Sequence, residues 1–221
     1  MPRTRTKLCG MMSPADARAA ADAGADAVGM ILHANARRKI DLDTARAIAS
    51  ALPPYVTPVG VFVDAVPQLV KDVAREVGLT TVQFHGGETV ADINAVAPLK
   101  VIKAVKADRA TIRATLAEWR ELHQAGKCDN LAALLLESPV LGAAGGTGVA
   151  NDFELIRNLQ TEGVFDGLPP VIVSGGLSPD NVRGVVELLH PYAVDVSSGI
   201  EATFGVKSVE KMRQFVQNAN R

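Results

Sequence analysis

Short apolar runs alternate with longer amphipathic segments along the whole chain, and this alternation constrains the fold more than any other feature. The apolar runs predict eight strands, at 7–9, 27–32, 58–63, 81–84, 101–105, 132–136, 171–174 and 193–197. The segments between them carry apolar residues at three- and four-residue spacing, which predicts helices. Strands and helices that alternate in this way are typical of βα units around a parallel sheet.

Several helix boundaries can be predicted from local signals. Residues 13–16, Ser-Pro-Ala-Asp, supply an N-cap hydroxyl, a proline at the first helical position and a carboxylate in the first turn. Residues 178–181, Ser-Pro-Asp-Asn, repeat the pattern and predict a second helix start. Gly24 and Gly78 stand where a left-handed residue would end a helix before the next strand.

The number and length of the units favour one α/β domain. Eight βα units of about 25 to 30 residues each fit a single (β/α)8 TIM barrel that spans residues 1–221. The alternative is an open, doubly wound sheet, but no Gly-x-Gly-x-x-Gly follows the first strand. No Ser/Gly-rich linker or change of composition divides the chain. We therefore expect a closed barrel with its active site at the carboxyl ends of the strands.

Charge and hydropathy exclude several classes of partner. The formal net charge is -1, so the chain lacks the basic surface that nucleic-acid-binding proteins need. No apolar run reaches the length of a membrane span, and the basic amino terminus leads into a strand rather than a signal core. We expect a cytoplasmic protein, a monomer by default, that binds neither nucleic acid nor membrane. Cys9 and Cys128 would lie at opposite ends of the barrel, too far apart for a disulfide.

Reactive side chains follow the predicted strands at the end where a barrel holds its active site. Cys9 ends the first strand, although a lone cysteine is often only a small buried hydrophobe. Glu137 closes a strand of aliphatic residues, where a carboxylate needs solvent or a partner. His85 follows the fourth strand and could either bind substrate or simply hold a backbone carbonyl. We predict that these three side chains lie at one barrel mouth.

Two further charged residues are predicted to bind substrate. Arg38 follows the second strand and offers a planar donor fork that suits a carboxylate, although it could equally be a solvated loop charge. Asp195 alternates with Val194 and Val196, so it points into the barrel while they point outward. A carboxylate in that position needs a polar partner.

Glycines after the last two strands predict a phosphate site. Gly175 and Gly176 follow the seventh strand, and Ser198 and Gly199 follow the eighth. In this fold the loops there commonly hold phosphate through backbone N–H groups and a short helix terminus. A further glycine-rich segment lies in a long loop that begins at Pro139, and its length indicates a lid over the mouth. The residues assigned to this lid are Gly146, Thr147 and Gly148.

The predicted site favours proton transfer without a cofactor. The four histidines show no metal-ligand spacing and the two cysteines are far apart in sequence, so no metal site is predicted. A thiol and a carboxyl group across a barrel mouth suit an isomerase, since one can remove a proton beside an imine while the other protonates an oxygen. The residues alone therefore predict a cofactor-free enzyme for a phosphosugar.

Several motifs, taken in order, resemble those of the phosphoribosylanthranilate isomerase family. They are Lys7-Leu8-Cys9-Gly10, Gly60-Val61-Phe62-Val63, Gln83-Phe84-His85-Gly86, Gly145-Gly146-Thr147-Gly148, the segment 174–182, the segment 194–201, and Gly205-Val206-Lys207. The resemblance covers nearly the whole chain. It implies an Amadori rearrangement in tryptophan biosynthesis, in which N-(5-phosphoribosyl)anthranilate becomes 1-(2-carboxyphenylamino)-1-deoxyribulose 5-phosphate.

The family resemblance also implies a role for each predicted site residue. Glu137 would protonate the ring oxygen and Cys9 would take the C2' proton. Arg38 would meet the anthranilate carboxylate, and the glycine-rich loops after strands seven and eight would hold the phosphate. For this chemistry at neutral pH, we expect positive surroundings that lower the pKa of Cys9. Desolvation or repulsion by the bound substrate should in turn raise the pKa of Glu137.

The chain departs from the family pattern at three places. Glu137 replaces the usual aspartate and is one methylene longer. Arg37 and Arg38 follow an alanine where the family has Ser-Pro-Arg, so the arginine assignment could shift by one residue. Residues 151–153, Asn-Asp-Phe, replace Phe-Asp-Trp at the start of the sixth helix.

Two alternatives are consistent with the residues. One is the related isomerase of histidine synthesis, although that family has a twofold repeat and two aspartates, and no half-chain repeat is visible here. The other is a phosphosugar-binding barrel that lost catalysis when the aspartate became Glu137.

Overall fold

A computed structural model of the chain describes residues 3–137 and 152–220. Eight parallel strands form a closed barrel in sequence order, and the last strand pairs with the first. The strands are β1 Arg5–Cys9, β2 Ala27–His33, β3 Thr57–Phe62, β4 Thr81–Phe84, β5 Lys100–Lys106, β6 Leu131–Glu137, β7 Val171–Ser174 and β8 Ala193–Val196. The predicted (β/α)8 barrel is confirmed, and the open sheet is excluded by the pairing of β1 with β8.

Helices follow the strands and cover the outside of the barrel. They are α1 Pro14–Asp22, α2 Leu42–Ala51, α3 Pro67–Val77, α4 Val90–Ala95, α5 Ile112–Gln124, α6 Phe153–Thr161, α7 Val182–Leu189 and α8 Val209–Ala219. Between β8 and α8 lie a 3₁₀ turn, Ser198–Ile200, and a small hairpin of β9 Glu201–Thr203 and β10 Val206–Lys207. No helix among the described residues is long and apolar enough to cross a membrane.

The helix signals in the sequence were right at one start and wrong at the other. At α1 the Ser13 hydroxyl accepts a hydrogen bond from the Asp16 N–H at 3.1 Å, as predicted for an N-cap. At the second site the helix begins only at Val182, because the Asn181 side chain accepts from the Ser178 N–H at 2.8 Å. This local side-chain bond closes a turn before the helix, which is the alternative that serine and asparagine offer a backbone.

The described residues form two apolar layers. The larger layer lies between the strands and the helices, and a smaller one fills the barrel interior. The interior residues are Val59, Ile102, Ala133, Leu135, Ile172 and Ala193. Polar inward-facing side chains lie above this interior layer, toward the carboxyl ends of the strands. The active-site cavity therefore opens at that end. Cys9 and Cys128 are both buried free thiols.

Candidate active site

Most of the predicted site residues line a cavity of about 310 Å³ at the carboxyl ends of the strands. The predicted residues that line it are Cys9, Arg38, His85, Glu137, Gly175, Gly176, Asp195 and Ser198. Cys9 on β1 and Glu137 on β6 therefore share one space, separated round the barrel by β7 and β8. The predicted lid residues 146–148 lie outside the described part of the chain.

Cys9 occupies the last position of β1 and points inward, with only 7% of its surface exposed. Gly29 on the neighbouring strand pairs with it, and a methyl group on Gly29 would lie 2.5 Å from the Cys9 sulfur. The glycine thus provides the space that the thiol occupies. Sequence reasoning missed this role, because it depends on the register of β1 against β2.

The polar partner predicted for Asp195 is Lys7. The Lys7 ammonium donates to the Asp195 carboxylate at 2.8 Å across the junction between β1 and β8. Burial alone would lower the pKa of Lys7, but the charges of Asp195 and Cys9 raise it to about 12. Lys7 was missed as a site residue, although its place two residues before Cys9 puts both side chains on one face of the strand.

Glu137 is bound to His85, which in turn contacts Gln83. The His85 Nε2 lies 3.1 Å from a Glu137 oxygen, and the Gln83 amide nitrogen lies 2.8 Å from His85 Nδ1. With the amide nitrogen as donor, Nδ1 is the acceptor and Nε2–H is the donor to the carboxylate. Gln83 was quoted in a motif but was not predicted to contribute to the site.

In the substrate-free protein, the pKa shifts of Cys9 and Glu137 run opposite to the directions that the proton transfers need. Burial raises the pKa of the Cys9 thiol, against the lowering effect of Lys7. The hydrogen bond from His85 lowers the pKa of Glu137, and this outweighs the raising effect of burial. Without substrate, the protein therefore favours a protonated thiol and an ionised carboxylate. The positive surroundings expected for Cys9 are present in Lys7 and Lys207, but burial outweighs them. The rise expected for Glu137 includes the effect of bound substrate, so it stays a prediction.

The loop that carries His85 is held by a buried ion pair. The Glu88 carboxylate accepts from the backbone N–H groups of Asp64 and Gly86, each at 2.9 Å, and from the Lys103 ammonium at 3.1 Å. Lys103 also donates to the Gly86 carbonyl at 2.6 Å. Because Gly86 is adjacent to His85, these bonds fix the backbone that presents the imidazole.

Arg38 lies in the cavity wall and forms a two-bond pair with Glu201 from β9. Its Nε and a terminal nitrogen donate to the two carboxylate oxygens at 2.7 and 2.9 Å. The Lys207 ammonium reaches the same carboxylate at 3.1 Å. Although burial acts in the other direction, these two cations lower the pKa of Glu201 to about 2. Neither Glu201 nor Lys207 was predicted as a site residue.

The two neighbouring arginines have different surroundings. Both guanidinium groups lie over the Phe204 ring, at 4.3 Å for Arg38 and 5.3 Å for Arg37. Only Arg38 is among the lining residues, and Arg37 is exposed. The geometry therefore favours Arg38 as the arginine that faces a ligand.

The glycine-rich loops after β7 and β8 form one wall of the cavity. Gly175 and Gly176 adopt left-handed backbone angles, with φ of 88° and 62°. Gly199 is not a lining residue, and a methyl group there would lie 1.9 Å from the Leu177 carbonyl oxygen. Its role in this geometry is to let the two loops touch.

Metal ligation has no support in the described part of the chain. No group of three or more His, Cys, Asp or Glu side chains converges there in a way that could hold a metal ion. What the cavity does combine is a thiol, a carboxylate, an arginine and glycine-rich backbone. These groups can exchange protons with a small anionic molecule and bind its charges.

A family model and named relatives give an independent comparison. The model described as N-(5'phosphoribosyl)anthranilate (PRA) isomerase matches residues 6–218. The N-(5'-phosphoribosyl)anthranilate isomerase of Azotobacter vinelandii is 41% identical over 219 residues, which is 98% of each chain. The same-named protein of Pseudomonas aeruginosa is 39% identical, over 98% of this chain and 95% of its own length.

Solved structures of phosphoribosyl anthranilate isomerases also superpose on this chain. The crystal structure of phosphoribosyl anthranilate isomerase from Thermotoga maritima superposes with a TM-score of 0.84 and is 36% identical, covering 98% of both chains. A second structure holds this isomerase in complex with reduced 1-(o-carboxyphenylamino)-1-deoxyribulose 5-phosphate. It superposes with a TM-score of 0.81 and is 34% identical, again covering 98% of both chains.

Proposed function

Since the chain belongs to the N-(5'-phosphoribosyl)anthranilate isomerase family, we propose that Glu137 and Cys9 carry out its reaction as acid and base. The chain is an isomerase that converts N-(5-phosphoribosyl)anthranilate to 1-(2-carboxyphenylamino)-1-deoxyribulose 5-phosphate in tryptophan biosynthesis. The observation that carries the assignment of roles is that both side chains line one cavity.

Ring opening is the first step. Glu137 delivers a proton to the furanose ring oxygen, the C1'–O bond breaks, and the anthranilate nitrogen supplies the electron pair that forms a protonated Schiff base. His85 acts as a positioning residue, because its hydrogen bond fixes one oxygen of the Glu137 carboxyl group. The other oxygen can then face the substrate.

Proton removal is the second step. The Cys9 thiolate takes the C2' proton, and the C–H electron pair forms a C1'–C2' double bond as the Schiff base becomes an enolamine. The enolamine becomes the product when its C2' hydroxyl loses a proton and C1' gains one. The reaction is therefore a redistribution of protons and electrons within one molecule, and the proposal needs no redox cofactor.

The anionic substrate itself supplies part of the required pKa tuning. Its phosphate and carboxylate raise the pKa of Glu137 by repulsion, and substrate in the cavity excludes water. This supports an acid that is ionised in the empty protein and gains a proton as the complex forms. The opposing adjustment at Cys9 needs a nearby cation.

Substrate binding is divided between two sides of the cavity. We assign the phosphate to the loops of Gly175, Gly176 and Ser198, whose glycines allow close approach of the backbone. Arg38 is assigned to the anthranilate carboxylate, because a guanidinium already paired along one edge has further N–H donors. Asp195 was also predicted to bind substrate, and its contribution to the site is made through its ion pair with Lys7.

The two alternatives make different predictions from this proposal. The histidine-pathway isomerase is not favoured, because the family model and the named relatives are anthranilate isomerases. A barrel that only binds phosphosugar would hold a product analogue without turnover. The cytoplasmic location and the monomeric state predicted from the sequence stay predictions.

The deciding experiment measures turnover of phosphoribosylanthranilate, formed in situ from anthranilate and phosphoribosyl pyrophosphate. We expect wild-type turnover and a loss of about a thousandfold in Glu137→Gln and Cys9→Ala, because each removes one proton-transfer group. Glu137→Asp should retain about 1 to 10% of the rate, since the shorter side chain withdraws from His85. Glu154→Gln, exposed on α6, is the control. Full activity of Glu137→Gln or Cys9→Ala would contradict the assignment of roles.

A further inference from the structure

Lys7 is a buried cation on the same strand as the reactive thiol. Its side chain is 4% exposed, and it lies two residues before Cys9 on the inward face of β1. Lys7 is not among the residues that line the active-site cavity, whereas Cys9 and Asp195 are. The ammonium therefore lies beneath the floor of the cavity and is not in a position to contact substrate.

Packing alone does not account for a charged pair at this place. Removing two charges from water costs several kcal/mol per ion, roughly, and apolar residues of similar volume often replace such pairs without loss of stability. The interior layer of the same barrel is filled by aliphatic side chains. A lysine and an aspartate at the next level thus indicate a requirement for charge.

Four charged groups affect the pKa of the Cys9 thiol, and they differ in the partners to which they are bound. Arg38 and Lys207 are two of the cations, and both are bound to the carboxylate of Glu201. Asp195 is the anion, and Lys7 is its partner. Among the cations, Lys7 has the largest lowering effect on the pKa of the thiol.

We propose that Lys7 is the positioning residue that stabilises the Cys9 thiolate, with Asp195 holding the ammonium in place beneath the sulfur. This inference rests on the proposed role of Cys9 as the base. In the proton-removal step the sulfur gains the C2' proton and becomes neutral, while Lys7 stays protonated throughout. Lys7 thus moves no proton itself; it sets how much of the thiol is ready to accept one.

The test measures the thiol directly in substrate-free protein. A Cys128→Ala background leaves Cys9 as the one cysteine of the chain. Thiolate absorbance and the rate of alkylation by iodoacetamide against pH then give the pKa of Cys9. In Lys7→Met we expect the pKa to rise by about one unit or more, which lowers the thiolate fraction at neutral pH about tenfold. Lys103→Met removes a buried lysine from a different strand, β5, and should leave the thiol pKa unchanged.

Steady-state kinetics give a second readout. Lys7→Met should lower kcat about tenfold at neutral pH with little change in KM, and the rate should recover as the pH is raised. Lys7→Arg retains the positive charge and should restore most of the thiolate if Lys7→Met fails to fold.

The possible failures are distinguishable. If Lys7→Met and Lys7→Arg both leave the thiol pKa at the wild-type value while Cys9→Ala is inactive, the role of Lys7 is overturned and the proposed function stands. A loss of activity in Lys7→Met that persists unchanged at high pH would also overturn it. If Cys9→Ala retains turnover, the proposed base is wrong, whatever Lys7 does to the thiol.

Discussion

The Nε2 of His85 lies 3.1 Å from the carboxylate of Glu137, and these two residues come from the ends of strands that are not neighbours in the barrel. The imidazole is itself oriented by the Gln83 amide at 2.8 Å. The extra methylene of glutamate, relative to aspartate, is therefore accommodated by a defined partner. The replacement of the family aspartate by Glu137, which in the sequence suggested a risk to activity, thus comes with a hydrogen-bond partner that holds the longer side chain.

Removing the imidazole should raise the pKa of Glu137. The hydrogen bond from His85 is the main cause of the lowered value, so His85→Leu leaves burial as the dominant effect. Carbon-13 NMR titration of glutamate carboxyls in substrate-free protein would follow the change. His123→Leu, on α5, is the matched control and should not move the Glu137 resonance. An unchanged Glu137 titration in His85→Leu would contradict the role given to the pair.

Gly29→Ala should damage the thiol site. The added methyl group would lie 2.5 Å from the Cys9 sulfur, so the sulfur must move or the strands must separate. We expect a loss of about 1 to 3 kcal/mol in the free energy of unfolding, typical of overpacking, and a large fall in kcat. Urea denaturation and turnover assays would measure both.

Gly184→Ala serves as the control for that substitution. Gly184 lies in helix α7, and nothing stands within 4 Å of the added methyl group. Alanine should therefore raise the free energy of unfolding by up to about 1 kcal/mol through helix propensity. Equal effects of the two alanines would refute the close fit of Gly29 against Cys9.

Glu88→Gln should destabilise the loop that carries His85. The change leaves the Lys103 ammonium buried without a charged partner, which typically costs about 3 to 5 kcal/mol. Urea denaturation should detect this loss, and the double variant Glu88→Gln with Lys103→Met should recover part of it. If the single and double variants are equally stable, the ion pair does not hold the loop in the way inferred here.

Glu201 should make the stability of the protein depend on pH in the acid range. Its pKa falls from the usual 4.5 to about 2 on folding, so its contribution is complete above pH 4.5 and is lost as the pH falls toward 2. Glu201→Gln should be less stable than wild type at pH 6, because Arg38 and Lys207 lose their carboxylate. The two proteins should converge as the pH approaches 2. Parallel curves of unfolding free energy against pH would contradict this.

The fold could be predicted because it depends on local patterns repeated eight times. Each strand was placed within two residues of its observed ends. The start of α7 was wrong, because a Ser-Pro-Asp-Asn segment can form either an N-cap or a turn, and the Asn181 side chain decided for the turn. That choice depends on hydrogen bonds that no spacing of residue types can distinguish.

The site was predictable at the strand ends and not between strands. Cys9 and Glu137 could be found because the fold brings all carboxyl ends of the strands to one mouth. Lys7 and Gly29 could not, since their roles depend on which residue of β8 or β2 lies opposite β1. The pKa shifts of Cys9 and Glu137 in the substrate-free protein could not be predicted for the same reason, because burial and partners come from the three-dimensional structure.

The bond between Lys7 and Asp195 joins residues 188 positions apart in the chain. Lys7 and Cys9 therefore leave the ribosome well before Asp195. A nascent or truncated chain that lacks β8 therefore has the cysteine without the partner that holds its counter-ion in place. The set of charges around Cys9 is thus complete only when β8 has closed the barrel against β1.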